Sequence, residues 1–272
     1  MTPAVRIAGL PMYDFPHLRQ AHDAFWKAVS TRLRAAGFED VPSRLTRGRN
    51  HFELWRDSRL LFGQGCEYPL ATSLEGRVRL VATPCYSAPG CERAQYRSAI
   101  VVRADDPAAR VADMRHRHCA INESTSNSGL NLLRAAVAPL SNGEPFFATV
   151  SVSGSHRASA LMVADGRADV AAIDCVSLAH LGVCAPSTIT RLRVLSWTEP
   201  SPSPPFITAR STDDLTIRAL RGALLDLFTD PQLSAAREQL LLEGIDLQPD
   251  ETFARVRILE QRAAQLAFSS VN

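Results

Sequence analysis

The sequence predicts an α/β fold with mainly parallel sheets, divided into two lobes. Strand-like and helix-like segments alternate along most of the 272 residues, which is typical of βα units and a parallel sheet. Two groups of such units are separated by the Asp-Asp-Pro run at residues 105–107 and by the proline-rich residues 201–205. We therefore expect residues 1–103 with 206–272 to form lobe one, and residues 104–205 to form lobe two.

The elements of lobe one begin with a buried strand at residues 5–10 and a helix after it. Apolar residues recur at helical spacing from Leu18 to Ala36, with Pro16 suited to the first turn and Gly37 to the C-terminal cap. Further strands are predicted at residues 60–62, 78–83 and 96–103. After residue 205 the chain returns to lobe one. Helices are predicted there from Asp213 onward, after the cap formed by Asp230 and Pro231, and over residues 250–267.

The elements of lobe two alternate more regularly. Strands are predicted at residues 118–122, 146–152, 169–174 and 192–197. A helix face runs from Leu130 towards Leu140, and a second helix covers residues 157–165 before Gly166. A third helix follows residue 174. Sequential βα units of this kind bring the carboxyl ends of parallel strands to one edge of a sheet.

Composition and charge exclude several classes of function. The net charge of +2 favours neither nucleic acid nor an anionic membrane surface as a partner. No apolar stretch reaches the roughly 18 residues that a membrane span needs, so we expect no spanning segment. The N-terminus lacks the charged and apolar regions of a secretory signal. That absence predicts either a cytoplasmic protein or a mature exported form.

Cysteines and histidines do not form a recognisable metal or redox motif. The six cysteines contain no C-x-x-C pair, which argues against a zinc ribbon or a thioredoxin-like site. Cys85 and Cys91 flank a short turn, and both a disulfide and a reduced pair fit this spacing. His118 and Cys119 are neighbours in a strand and point to opposite faces, so they are not expected to share a metal. We expect no cofactor and no metal.

Two short polar runs carry most of the functional information, residues 124–129 and 153–156. Each follows a predicted strand and opens a predicted helix. Ser126, Asn127 and Ser128 precede Gly129, and Ser155 precedes His156. Hydroxyls and free backbone N–H groups at the positive end of a helix dipole are suited to holding an anion. Helix capping without any ligand also explains these residues, but the density of donors and the close backbone approach that Gly129 permits favour binding.

Nucleophilic catalysis is the weaker interpretation of the Ser155-His156 pair. No G-x-S-x-G elbow surrounds the serine, and adjacent residues rarely point at each other productively. We therefore assign no catalytic residue. The helix N-terminus should lower the pKa of His156 and keep the imidazole neutral. Asp174 ends the third strand of lobe two, where it can cap a helix or accept a hydrogen bond from a protonated oxyanion or a ligand amine.

Polar and aromatic residues of lobe one are candidates for the opposite wall of a cleft between the lobes. Tyr13 follows the first strand. Gln64, Glu67 and Tyr68 lie in the loop after the strand at residues 60–62. Such residues in loops often have no ligand to bind, so ordinary surface or packing roles stay open for each of them.

Residues 126–129, 154–170 and 168–174 resemble the phosphate- and phosphonate-type substrate-binding proteins of ABC transporters. The family's Ser-Thr-Ser-Gly run corresponds to residues 126–129, with Asn127 in the threonine position. Its cleft histidine, aspartate and lobe-one tyrosine correspond to His156, Asp174 and Tyr13. The resemblance implies a two-lobed periplasmic-binding-protein-like α/β fold of type II topology, with a mixed, mainly parallel sheet in each lobe and the ligand cleft between them.

The resemblance also implies a function. We expect a non-enzymatic, monomeric solute-binding protein that captures phosphate, phosphite or a phosphonate in the periplasm and delivers it to an ABC transporter permease. Two alternatives stay open. One is a cytoplasmic sensory or regulatory ligand-binding protein of the same fold, and the other is an enzyme of precursor metabolism built on this scaffold.

Overall fold

The computed structural model describes residues 5–141, 143–249 and 254–265. Its strands are β1 (Ile7–Gly9), β2 (Leu60–Gln64), β3 (Val78–Tyr86), β4 (Gln95–Tyr96), β5 (Ser98–Arg103), β6 (His118–Ile121), β7 (Thr149–Val152), β8 (Val170–Asp174), β9 (Leu192–Trp197), β10 (Ser201–Pro202), β11 (Phe206–Ala209) and β12 (Leu242–Asp246). Its α-helices are α1 (Arg19–Ala35), α2 (His51–Arg56), α3 (Glu67–Ala71), α4 (Leu132–Val137), α5 (His156–Ala164), α6 (Cys175–Cys184), α7 (Pro186–Ile189), α8 (Asp214–Leu227), α9 (Ser234–Gln239) and α10 (Ala254–Gln265).

The described residues divide into two compact units. Unit one contains residues 5–87, 92–94 and 202–249, and unit two contains residues 88–91, 95–201 and 254–265. The predicted crossing at residue 103 is therefore too late, because β5 pairs with β8 and β9 in the sheet of unit two. The last helix also differs from the prediction, since α10 packs against α4 in unit two. The predicted ends of that helix, 250–253 and 266–267, lie outside the described residues.

Unit one is built on a five-stranded sheet in the order β1-β2-β11-β3-β12. The strands β1 and β2 are parallel, whereas β11 and β12 are antiparallel to their neighbours. The helix predicted after Pro16 forms as α1, preceded by a 3-10 turn. It buries Phe25 and Trp26 against Phe62 of β2, with ring centroids 6.4 and 5.7 Å away. Aromatic pairs of this kind add to the stability that burial provides.

Unit two is built on a second five-stranded sheet in the order β7-β6-β8-β5-β9. Here β6 is parallel to both β7 and β8, and β5 is antiparallel to β8 and β9. Because β6, β7 and β8 run in the same direction, the turns that follow them lie at the same edge of the sheet. The core beneath the sheet consists of fully buried aliphatic and aromatic side chains, among them Ile121, Val137 and Phe146.

The predicted fold class is confirmed, with two mixed sheets and helices packed against them. The strand β12 was absent from the prediction because its residues, Leu-Glu-Gly-Ile-Asp, lack a continuous apolar run. It forms because residues 83–86 of β3 offer an antiparallel partner. Among the described residues, no helix is both long enough and apolar enough to cross a membrane.

Candidate functional site

The first polar turn lies between β6 and α4 in unit two. Ser126 has extended backbone geometry and caps a π-helical segment, Asn127–Asn131, which continues into α4. Its Oγ accepts a hydrogen bond from the N–H of Gly129 at 2.9 Å and lies 3.4 Å from Oγ of Ser128. Both serine side chains are 5% exposed. A capped helix start thus carries two closely spaced hydroxyls.

The second polar turn brings His156 to the first. His156 opens α5, and its Nε2 lies 2.9 Å from Oγ of Ser128. Backbone hydrogen bonds fix the two turns side by side, from Ser153 N–H to Ile121 C=O at 2.8 Å and from Gly154 N–H to Asn122 C=O at 2.9 Å. The structure therefore groups Ser126, Ser128 and His156, as parallel neighbouring strands predict.

The imidazole of His156 is neutral at pH 7. Burial lowers its pKa to about 4, and this effect outweighs the Glu123 carboxylate and the Ala172 carbonyl, which both raise the pKa. The sequence predicted a lowered pKa from the helix dipole, but burial is the larger cause. A neutral ring donates one N–H and accepts at the other nitrogen.

The low pKa of His156 predicts a loss of stability in mild acid. An unfolded histidine has a pKa near 6.5, so the unfolded state binds the proton first as the pH falls. The stability is therefore complete above about pH 6.5 and decreases towards pH 4, by about 2 kcal/mol at pH 5. In melting curves from pH 7 to 4.5, we expect His156→Gln to lose less stability than the wild type. His22, whose pKa burial also lowers to about 4, remains in both proteins, so equal losses would contradict the assignment to His156.

Gly129 allows a close approach between the first turn and the end of β6. A Cβ at this position would lie 1.7 Å from Oδ1 of Asn122 and 3.3 Å from Oγ of Ser126. Oδ1 of Asn122 is buried and has no hydrogen-bond partner among the residues the structure describes. Asn122 has no functional signal in the sequence, since it ends a predicted strand. The structure adds it to the cluster as an unsatisfied acceptor.

Asn127 lies in the interior of unit two. Its side chain is 0% exposed and its Nδ2 donates to Tyr96 Oη at 3.1 Å and to Ser201 Oγ at 2.9 Å. Its Oδ1 accepts from Nδ2 of Asn131 at 3.0 Å. These bonds orient the first turn of the helix. The sequence did not identify Tyr96 or Ser201, because their link to Asn127 is long-range.

Ser155 and Asp174 both act as helix caps. Ser155 is exposed, and its side chain accepts a hydrogen bond from Ala158 N–H at 3.1 Å. Asp174 is 2% exposed, and its Oδ1 accepts from Ser177 N–H at 2.7 Å at the start of α6. Asp174 also stands opposite Ser98 in the ladder between β8 and β5. Ser98 Oγ donates to the carbonyl of Ser128 at 2.9 Å. Ser98 therefore connects the strand position of Asp174 to the first polar turn.

The four residues predicted from lobe one lie in unit one. Tyr13 is buried and packs edge-to-face against Tyr86, with ring centroids 5.4 Å apart. Gln64 at the end of β2 donates from Nε2 to Tyr86 Oη at 2.7 Å and to the carbonyl of Pro204 at 3.0 Å. Glu67 begins α3 and is fully buried, and Tyr68 beside it is half-buried. Tyr13 and Gln64 are thus joined through Tyr86, which sequence reasoning missed.

No group of three or more histidine, cysteine or acidic residues in the described ranges has the arrangement of a metal site. His118 Nε2 lies 2.8 Å from Ser151 Oγ, and burial raises the pKa of the neighbouring Cys119 thiol. The polar chemistry of unit two therefore centres on Ser126, Ser128 and His156.

Comparison with solved structures found proteins of the same fold. A binding protein component of an ABC phosphonate transporter from Pseudomonas aeruginosa is 15% identical with a TM-score of 0.78, covering 97% of this chain and 88% of that one. PhnD1 from Prochlorococcus marinus in complex with methylphosphonate is 12% identical with a TM-score of 0.77, covering 96% and 98%. XAC2383 from Xanthomonas citri bound to ATP is 17% identical with a TM-score of 0.71, covering 96% and 97%.

Comparison with curated protein sequences found no match. A family model does match, over residues 60–253, and it describes the periplasmic phosphonate substrate-binding protein of ABC transporters. The matched residues include both polar turns and Asp174. The chain belongs to this family of periplasmic phosphonate-binding proteins of ABC transporters.

Proposed function

We propose that this protein captures a small phosphorus oxyanion, a phosphonate first and phosphate or phosphite as alternatives, for import by an ABC transporter. The observation that carries the proposal is the cluster of Ser128 Oγ, 2.9 Å from His156 Nε2, and Ser126 Oγ, 3.4 Å from Ser128 Oγ. The cluster stands at the N-terminal ends of two helical segments. Hydroxyl donors and unpaired N–H groups at a helix start favour an anion.

Each residue of the cluster has a separate part in the proposed site. The hydroxyls of Ser126 and Ser128 donate to anionic oxygens. The neutral imidazole of His156 supplies one N–H without the cost of burying a second charge. Asn127 orients the turn through its buried side chain, which bonds with Tyr96 and Ser201. Ser155 holds the start of α5, as its bond to Ala158 N–H indicates.

We assign Asp174 the recognition of a proton on the ligand, on a P–OH group or an amine. A carboxylate accepts such a proton and repels a fully deprotonated oxyanion. In unit one we propose Tyr13, Gln64, Glu67 and Tyr68 as further contact residues, to be tested by substitution. The proposed role requires reversible binding and no chemical step.

Binding of methylphosphonate tests the proposal directly. Because a ligand that binds only the folded state raises the melting temperature, we expect a rise with millimolar methylphosphonate, and calorimetry should give a dissociation constant. We expect Ser128→Ala to weaken binding roughly ten-fold, the loss of about 1.5 kcal/mol for a hydrogen bond to a charged group. Ser187→Ala, an exposed serine of α7, serves as the matched control with unchanged affinity.

A panel of phosphate, phosphite and ATP distinguishes the ligand class. Tighter binding of methylphosphonate than of all three supports a phosphonate carrier, whereas tighter binding of ATP would identify nucleotides as the ligand class. No shift with any member of the panel would refute the oxyanion proposal.

The transporter context has its own tests. We propose a periplasmic location and a permease as the partner, because the family serves ABC importers. Uptake of methylphosphonate by cells should depend on this protein together with a permease. Size-exclusion chromatography with light scattering should give a monomer of 29.7 kDa.

A further inference from the structure

Two cysteines of unit two lie next to each other although 84 residues separate them in the chain. The Sγ atoms of Cys91 and Cys175 are 3.3 Å apart. Cys175 is the first residue of α6 and is 1% exposed, whereas Cys91 is half-buried. The sequence left a disulfide between Cys85 and Cys91 open, but the structure brings Cys175 next to Cys91. Cys85 lies on β3 in unit one, opposite Gly244 of β12.

The short turn that carries Cys91 is held tightly against Cys175. Gly90 has a φ of +100°, and a Cβ on it would lie 2.6 Å from the Trp197 ring and 3.1 Å from Cys175 Cβ. Only glycine fits both that backbone conformation and that space. Hydrogen bonds fix the two backbones, from Cys91 N–H to Ala88 C=O at 2.9 Å and from Cys175 N–H to Arg97 C=O at 3.1 Å. The two thiols are therefore preorganised rather than accidentally close.

We propose that Cys91 and Cys175 form a disulfide by exchange with a disulfide-bearing oxidant, either a thiol–disulfide oxidoreductase or a small disulfide. In the first step the thiolate of Cys91 attacks the oxidant, forms a mixed disulfide and releases one thiol. In the second step Cys175, as a thiolate, attacks Sγ of Cys91 and releases the second thiol. The protein loses two protons and two electrons, and the oxidant takes up both and is reduced to two thiols.

The environment of each sulfur fits the order of these steps. Cys91 is the more exposed thiol and is the one an oxidant reaches. The hydrogen bond with Cys91 and burial raise the pKa of Cys175, so Cys175 remains a thiol until its neighbour has become the electrophile. A disulfide needs an S–S distance of about 2 Å, so the sulfurs have to approach by only about 1.3 Å. Oxidising compartments such as the periplasm sustain bonds of this type.

The bond would fasten the turn at residues 88–91 to the start of α6, directly after Asp174. Cross-linking residues so far apart in the chain restricts the unfolded state, and the stabilisation grows with the length of the closed loop. The oxidised protein should therefore melt roughly 5–10 °C higher than the reduced protein.

Thiol counting on the full chain tests the bond. The reduced protein has six free thiols, and treatment with oxidised glutathione should lower the number by two. Peptide mapping should then identify a Cys91–Cys175 cross-link. We expect Cys91→Ser and Cys175→Ser to abolish this cross-link, and Cys85→Ser to keep it. Six remaining thiols, a lasting glutathione adduct on Cys91 or a Cys85–Cys91 cross-link would each overturn the proposal.

Two further measurements separate bond formation from general unfolding. Gly90→Ala should slow the cross-link at least about ten-fold, because the added methyl group displaces the turn from Cys175. Gly182→Ala, in α6 with nothing within 4 Å of its Cβ position, should leave the rate unchanged. Equal melting temperatures of the oxidised and reduced wild-type protein would refute the stabilising role.

Discussion

Ser128→Asp is expected to reduce the affinity for methylphosphonate at least about 100-fold in a protein that still folds. The new carboxylate would lie within a few ångströms of the bound anion. Two like charges 4 Å apart repel by about 4 kcal/mol at an effective dielectric constant of 20, which is more than enough for that loss. In the protein without ligand, the helix start favours the new negative charge, whereas burial at a position that is 5% exposed disfavours it. Binding is therefore compared at a temperature where the variant and the wild type are both folded.

His156 supplies a second readout for the same variant. Its Nε2 lies 2.9 Å from the side chain at position 128, and a carboxylate at that distance favours the imidazolium. The pKa of His156 should therefore rise from about 4, which NMR titration of the ring protons measures. The rise should not occur in Ser128→Asn, which is similar in size and carries no charge.

Two controls separate charge at the site from charge on the protein. Ser128→Asn removes the hydroxyl and should weaken binding roughly ten-fold, like Ser128→Ala. Ser187→Asp adds the same charge on an exposed residue of α7 and should leave the affinity unchanged within about two-fold. If Ser128→Asp binds methylphosphonate as well as Ser128→Asn, the anion is held elsewhere and the assignment of the first polar turn is wrong.

The grouping of the two polar turns was predictable from the sequence because it follows from local patterns and one topological rule. Apolar runs predicted β6 and β7, and each is followed by residues that cap a helix. The two strands pair in parallel, from His118 opposite Thr149 to Ile121 opposite Val152. Once they are neighbours, the turns after them must meet at one edge.

The direction of individual side chains was not predictable in the same way. Successive helical residues differ by about 100° around the axis, so a shift of one residue at the helix start changes which side chain faces the site. The start is a π-helical segment, which sequence patterns do not reveal. Ser128 consequently meets His156, while Asn127 between the two serines is directed into the interior of unit two and bonds with Tyr96 and Ser201.

Long-range pairings account for the remaining differences. The prediction assigned residues 96–103 to lobe one because they precede the Asp-Asp-Pro run at residues 105–107, which marks the predicted crossing. In the structure β5 belongs to the sheet of unit two, where Ser98 pairs with Asp174. The partner of Cys91 was missed for the same reason. Neither pairing has a local sequence signal, since each joins segments more than 70 residues apart.

Asp174→Asn is expected to weaken the binding of methylphosphonate about 10- to 100-fold at pH 6 and to leave the fold intact. The carboxylate as an acceptor favours a ligand that still carries one proton, and a hydrogen bond to a charged group contributes about 1.5–3 kcal/mol. Asparagine keeps an oxygen that can cap α6 through Ser177 N–H, so the helix start should be preserved. Asp213→Asn makes the same change at the cap of α8 in unit one, where Asp213 accepts from Thr216 N–H at 2.7 Å, and should not affect binding.

The pH dependence distinguishes proton recognition by Asp174 from a capping role alone. The last proton of a phosphoryl group leaves near pH 6, and phosphonate oxyanions lose theirs in the same region or somewhat above. The affinity of the wild-type protein should therefore fall as the pH rises from 6 to 8.5, because the dianion has no proton to offer to the carboxylate. In Asp174→Asn the amide can also donate to the dianion, so the affinity should stay level or rise over the same range. Calorimetric titrations of both proteins at four pH values measure how the affinity changes with pH. The same change in both proteins would mean that Asp174 only caps α6 through its bond with Ser177 N–H.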